Sequence, residues 1–384
     1  MYPQLEVYRD AVSMTRNQTY HLDLPKQGRL SFIMLEISGT HNGAPFQTDT
    51  TAKWRVHDFI DEINVVANGQ RDIIALNGKV AQAMGWWDQG VTMPDVWRQY
   101  SSASLKSWFV LNFGPKMWDP NFYLQLEDFD SIELQIKNSM TSTYWGADPD
   151  VSVYLGWLRG GDVPASQGFL KKEIWRRYTT VQGGREYMDL PTALPIRRIL
   201  IQAIPDLDSS GVAETGPENV AHTIKLTFQS GLVTVFDGGF VELMKLNYLD
   251  LGHEVITQGA VYHNADYGFD VDIADVRGHA GVSGSRDGSG SATIPTIEGD
   301  RDDFTQKMET YEGDSPFEFI FRGWGYQNIA GWRFDFLPFP QGLLDPSEAG
   351  EGIVELEIGT RDAASAADGT VRVILDRLAT PDTL

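Results

Sequence analysis

The chain has no cysteine among its 384 residues. That excludes disulfides, thiolate metal sites and cysteine nucleophiles, and leaves packing and hydrogen bonding to hold the fold. Positive charge is scarce: 31 Lys and Arg stand against 53 Asp and Glu, a formal net charge of -22. Duplex affinity depends on Lys and Arg displacing counterions from phosphates, so a general or sequence-specific nucleic-acid binder is not expected. An acidic surface instead keeps copies apart in solution until specific contacts form. No apolar run approaches the roughly 18 to 20 residues needed to cross a bilayer, and the first residues lack the basic start, apolar block and cleavage site of a secretory signal. A soluble chain without a leader is the expectation.

What is present is strand. Ile132 to Ile136, Val354 to Ile358, Thr223 to Phe228 and Val151 to Leu155 alternate apolar with polar or small residues, the pattern of half-buried strands. Asn68-Gly69, Asn77-Gly78, Asp237-Gly238 and Asp368-Gly369 punctuate them as turns. Helix is expected only over Glu6 to Met14, as an N-terminal arm, and briefly over Lys79 to Met84 before Gly85. The class is all-β, in sandwiches or barrels.

The chain also repeats itself. Asp23-Leu24-Pro25 matches Asp189-Leu190-Pro191 at an offset of 166 (189 − 23), and Phe32 to Leu35 falls on Arg198 to Ile201. Ile63 to Gly69 matches Leu232 to Gly238 at 169 (232 − 63), and Ile132 to Ile136 matches Val354 to Ile358 at 222 (354 − 132). Val151, Val153, Leu155 and Leu158 match Val371, Val373, Leu375 and Leu378 at 220 (371 − 151). We therefore expect two tandem eight-stranded sandwiches, over residues 1–160 and 180–384, with a linker over 161–179. The growth in offset predicts a long surface excursion in the second copy, over about Gly259 to Ser315, where the Gly/Ser tract Gly278 to Ser291 can bury little apolar surface.

The doubled LDLP and MDLP strands, the INVVANG strand and turn from Ile63 to Gly69, and the alternating pair closing each half carry a resemblance. From Asn17 to Leu378 the chain resembles the double jelly-roll major capsid proteins of tailless icosahedral, membrane-containing phages, the tectivirus, corticovirus and marine phage group. The resemblance implies two upright jelly rolls per chain, three chains in a pseudo-hexameric capsomer, and neighbouring capsomers, pentons and minor capsid proteins as partners. It also implies a place in the virion shell after synthesis in the host cytoplasm, no catalysis and no cofactor. Excursions over about Gly85 to Lys106 and Gly259 to Ser315 would rise from the outer face, while Gly160 to Ile174 and the N-terminal arm would lie at the base, over an internal membrane.

Candidate sites are few. The seven histidines (His21, His41, His57, His222, His253, His263 and His279) include no pair two apart on a strand, as a cupin metal site needs. Asp266, Asp270, Asp272 and Asp275 form an acidic tract, and Asp270, Asp272 and Asp275 are candidate calcium ligands set against the simpler reading of solvated loop charge. No G-x-S-x-G elbow or phosphate loop occurs. Trp86, Trp87, Trp97 and Trp108 are candidate trimer contacts, because aromatics dominate protein interfaces as well as cores. Lys171, Lys172, Arg176 and Arg177 form the one basic run, a candidate contact for anionic lipid or a solvated linker. A two-jelly-roll carbohydrate-active or amide-cleaving hydrolase, or a glycan- or receptor-binding β-sandwich, stays open as an alternative.

Overall fold

A computed structural model gives the fold. It describes residues 1–40, 55–96, 98–99, 104–206, 216–229, 231–252, 255–262, 269–272, 277–284, 296–299, 306–310, 316–324, 326–334, 343–344, 354–362 and 369–384.

The first half runs β1 (Tyr2–Ser13), β2 (Thr19–Asp23), β3 (Arg29–Thr40), β4 (Ile60–Ala67), β5 (Arg71–Leu76) and α1 (Gly78–Gln89). The short β6 (Asp95–Val96) and β7 (Arg98–Gln99), then β8 (Ser104–Asn112), β9 (Leu124–Gln125), β10 (Ile132–Asn138) and β11 (Asp150–Arg159) complete it. The second half runs β12 (Phe169–Thr179), β13 (Arg185–Asp189), β14 (Ile196–Pro205), the one-turn α2 (Pro217–Val220), β15 (Thr223–Phe228), β16 (Val233–Gly239) and α3 (Phe240–Leu251). An excursion follows with β17 (Val255–Tyr262), β18 (Phe269–Asp272), β19 (Arg277–Gly284), β20 (Thr296–Gly299), β21 (Gln306–Thr310) and β22 (Pro316–Trp324). The chain closes with β23 (Ile329–Arg333), β24 (Glu355–Gly359) and β25 (Gly369–Ala379).

Strand order is the same in both halves. The first sandwich pairs β1-β11-β3-β8 against β2-β10-β4-β5; the second pairs β12-β25-β14-β23 against β13-β24-β15-β16. Each keeps its own core, in which alternate residues such as Leu35, Val65, Leu134 and Val153, or Ile201, Leu226, Leu356 and Val373, are fully buried. The helices also correspond. Each has 12 residues and is closed by a left-handed glycine, Gly90 at φ 72° and Gly252 at φ 64°, whose N–H donates to the carbonyl of Trp86 or Tyr248.

Three of the four internal matches fall on corresponding strands: β2 and β3 with β13 and β14, β10 with β24, β11 with β25. The fourth is displaced by one strand. Val65 pairs Leu134 as Leu226 pairs Leu356, so β4 corresponds to β15 at an offset of 161 (226 − 65), and Leu232 to Gly238 belongs mostly to β16. Adjacent strands of one sheet share a period of two and similar composition, so the motif alone does not choose between them. Asp237-Gly238 accordingly lies inside β16, and Asn77 caps α1 by accepting from Val80 N–H at 2.9 Å. Asn68 and Gly69 do make a turn, at φ 51° and 71°. Asp368 lies outside the described residues.

Three further expectations change. Glu6 to Met14 is not helical: β1 pairs β11 from Tyr2↔Arg159 to Ser13↔Asp150, because β11 offers a ladder partner within the same sheet. Residues 169–179 are not linker but β12, which leaves only 160–168 as connection. Gly85 lies within α1 with Met93 Sδ only 2.8 Å from where a Cβ would stand, so the first excursion begins after Gln89. The second excursion is built of strands, and β17 pairs in parallel with β7 of the first. Both excursions leave the sheet end marked by Thr40 and Ser104; Arg159, Tyr2 and Arg29 mark the opposite end.

Candidate functional site

One sheet crosses from one sandwich to the other. The order β2-β10-β4-β5-β12-β25-β14-β23 is continuous because β5 pairs in parallel with β12, Ile74 opposite Lys172 and Ala75 opposite Glu173. The interior face of the first sandwich therefore continues over the exterior of the second. Leu200, Ile374 and the half-buried Ile174 join the core that holds Trp86 and Trp87. Helix α1 lies over this seam.

At its end, Asp88 meets three cations from two strands of the second sandwich, Lys172 on β12 and Arg197 and Arg198 on β14. Lys172 Nζ stands 2.6 Å from Asp88 Oδ2 and Arg197 Nη1 3.1 Å from Oδ1, while Arg198 Nη2 also donates to Oδ1. Asp376 on β25 accepts from Arg197 Nη1 at 3.1 Å and from Arg198 Nε at 2.7 Å. Asn112 Nδ2 donates to Asp88 at 3.2 Å and Arg197 Nη2 donates to the Pro115 carbonyl at 3.2 Å. None of the five ionic side chains is more than 3% exposed. Burial by itself would raise the Asp88 carboxyl, but Arg198, Lys172 and Arg197 outweigh it and hold Asp88 well below the usual carboxylate range. Two carboxylates face three cations, and Lys172 is the member pushed down by burial, against the pull of Asp88 and Asp376.

A second polar tie joins the halves nearer the excursions. Gln82 Oε1 accepts from Tyr326 Oη at 3.1 Å and from Gln327 Nε2 at 3.2 Å, and the Gln327 amide nitrogen lies 3.3 Å from His57 Nε2. Gln202 Nε2 donates to the Gln327 carbonyl at 3.0 Å. Gln327 and Asn328 hold φ of 56° and 53°, a left-handed conformation that these contacts maintain. His57 Nδ1 is 3.3 Å from Asp95, and Asp58 beside it pairs with Lys79 at 3.2 Å. Burial would raise Asp58, yet Lys79, His57 and Arg55 keep it below its ordinary range.

This junction contains two of the four aromatic candidates. Trp86 and Trp87 are each 2% exposed and meet edge to face with centroids 5.7 Å apart, so they offer no surface to another chain. Trp108 is half-buried on the outer side of β8, and Trp97 lies outside the described residues. The basic run is corrected as well. Lys172 is buried, Lys171 pairs with Glu173 at 3.2 Å, Arg176 pairs with Glu186, and only Arg177 is exposed. Along β12 the run covers about 20 Å at the strand rise of about 3.3 Å per residue, so it makes no single patch at the base. Asp270 and Asp272 fall on β18; Asp266 and Asp275 lie outside the described residues. Asp88, Arg197, Arg198 and Asp376 were missed. The signal was there in Arg197-Arg198, two charges in β14, whose other residues are apolar except Gln202.

Among the described residues no group of three or more His, Asp or Glu is placed to share a metal ion. A groove of about 350 Å³ on the second sandwich holds Asp189, Lys225, Glu355 and Glu357. Three of these four have charged or polar neighbours: Arg185 pairs with Glu357 at 2.7 Å, Lys225 lies 3.8 Å from Asp237, and Thr227 donates to Glu355 at 3.3 Å.

No protein-family model matches the sequence, and no curated protein sequence does. Solved structures match along the whole chain. A crystal structure of the STIV MCP aligns at a TM-score of 0.60 with 11% identity, covering 100% of this chain and 99% of that one. A chain of the atomic structure of Sulfolobus Turreted Icosahedral Virus aligns at 0.61 with 9% identity, covering 99% and 92%. The major capsid protein P2 from bacteriophage PM2 aligns at 0.51 with 9% identity, covering 99% and 98%. Likeness at such identities is a likeness of fold, and the fold is the double jelly roll.

Proposed function

We propose that this chain is a major capsid protein, a structural subunit that tiles the icosahedral shell of a virion. The observation that carries this reading is the pair of sandwiches with one strand order, welded by a shared sheet and a buried charge cluster. Such a unit holds two equivalent building blocks in fixed relation, which lattice tiling requires and a catalytic cleft does not. Capsid proteins of this fold align with it over nearly their whole lengths.

In finer terms, three chains form a pseudo-hexameric capsomer, with the two excursions outward and the 160–168 connection at the base toward an internal membrane. Neighbouring capsomers, pentons and minor capsid proteins are its partners. Purified protein is expected to sediment as a trimer of about 129 kDa (3 × 42.9 kDa) and to show hexagonal tiles or shells by electron microscopy. A stable monomer that forms no particles with or without liposomes would count against it.

A further inference from the structure

The junction inside one chain describes a second junction that a single chain leaves unmade. Strand β12 meets β5 on one side, whereas its counterpart β1 is the outer edge of the first sandwich. Strand β5 meets β12, whereas its counterpart β16 is likewise an outer edge. Their ladders fix which residues correspond. Val7 pairs Tyr154 as Ile174 pairs Ile374, and Leu5 pairs Gly156 as Lys172 pairs Asp376. Ile74 pairs Val65 as Phe236 pairs Leu226.

The helices show the same asymmetry. Trp86 and Trp87 of α1 are buried at the seam, but the corresponding Tyr248 and Leu249 of α3 are 38% and 77% exposed, with Leu246 beside them at 48%. The sheet that would receive them is apolar where the internal seam is charged. Leu5 and Val7, 52% and 58% exposed, stand where Lys172 and Ile174 stand in the second sandwich. Phe32 takes the place of Arg198 and lies over Gly156, which takes the place of Asp376. Met34, Tyr154 and Trp108 continue that face, all half-buried.

We propose that the established junction continues onto a second copy of this chain, in which β16 and α3 of one chain dock on the β1 edge and the outer β1-β11-β3 face of the next. The strands run parallel, with Phe236 opposite Leu5 and Asp237 opposite Glu6, and Tyr248 and Leu249 cover Leu5, Val7, Met34 and Tyr154. Alternating charged and apolar seams keep the two kinds of sandwich alternating around the ring. Asp88 would be left without its three cations on the first sheet, and Leu249 would meet buried charge on the second.

The inference rests on the capsomer reading, and the test separates the two. The chain has no cysteine, so Glu6→Cys with Asp237→Cys is a clean background for oxidation. Adjacent strand positions fall within disulfide range, and covalent dimers and trimers are expected on a non-reducing gel only when both cysteines are present. Leu249→Asp, with its fold checked by near-UV circular dichroism, is expected to weaken assembly at least about 10-fold in concentration by analytical ultracentrifugation. A wild-type trimer whose cysteine pair stays reduced, or which Leu249→Asp leaves intact, overturns this surface while the capsomer stands. A monomeric wild type overturns both.

Discussion

Lys172 and Asp88 belong to different sandwiches, and their side chains meet 2.6 Å apart with neither more than 1% exposed. The contact ties the two halves because water is excluded, and moving one sandwich strands charge in the interior: Asp88 would lose all three of its cations at once.

Removing the anion should therefore cost far more than removing this cation. Asp88→Asn leaves Lys172, Arg197 and Arg198 facing Asp376 alone, and the loss expected in urea unfolding is about 3 to 5 kcal/mol. Lys172→Met keeps the volume and removes the excess positive charge, with an expected change within about 1 kcal/mol. Equal losses for the two would show that packing, not charge balance, governs the seam.

Acid should loosen both the seam and the single helical turn at Val56–Phe59 that holds Asp58. Both Asp58 and Asp88 ionise in the folded chain well below the 3.8 of an ordinary aspartate. The unfolded chain then binds more protons as pH falls, so this stability is complete above pH 3.8 and is lost progressively below it. Unfolding free energy measured from about pH 5 to about pH 2.5 should drop with a slope approaching two protons, and Asp58→Asn or Asp88→Asn should each remove about one.

Trp86→Ala is expected to lower the stability of the chain itself by about 3 to 5 kcal/mol, the range for emptying a buried aromatic site. Trp108→Ala, on a half-buried outer face, should leave thermal unfolding of the single chain nearly unchanged. A folded, fully stable Trp86→Ala monomer would contradict its place in the core.

Gln82 accepts from two second-half donors at once. Gln82→Leu removes the acceptor that Tyr326 Oη and the Gln327 amide share, at an expected cost of about 1 to 3 kcal/mol. A double-mutant cycle with Tyr326→Phe should return a coupling of about 0.5 to 3 kcal/mol. Additive losses would mean that the two residues do not act on one another.

Much of the architecture was legible in the chain. Ile132 to Ile136 and Val354 to Ile358 announce strands through period two, since successive side chains of a pleated ribbon must face opposite sides. The spacing of the two halves announces duplication. Local pattern does not say which strand lies beside which, so Ile63 to Gly69 matches a neighbour of its structural counterpart as well as the counterpart itself.

The seam was less legible. Lys171-Lys172 reads as a solvated pair and Trp86-Trp87 as an exposed one, because burial at those positions is decided by a helix and a strand from opposite halves of the chain. Asp88 and Asp376 lie 288 residues apart (376 − 88) and share Arg197 and Arg198.

The amino-acid order by itself determined that the chain is all-β, acidic, free of thiols and written twice, because those properties are set by composition and by repeats along a line. Only the tertiary structure decided that the two copies share one sheet, that three cations and two carboxylates are sealed between them, and that, among the described residues, β1 and β16 stand at sheet edges. Those facts depend on which surfaces face each other in space, and an apolar or charged side chain has the same letter whether another segment covers it or water does.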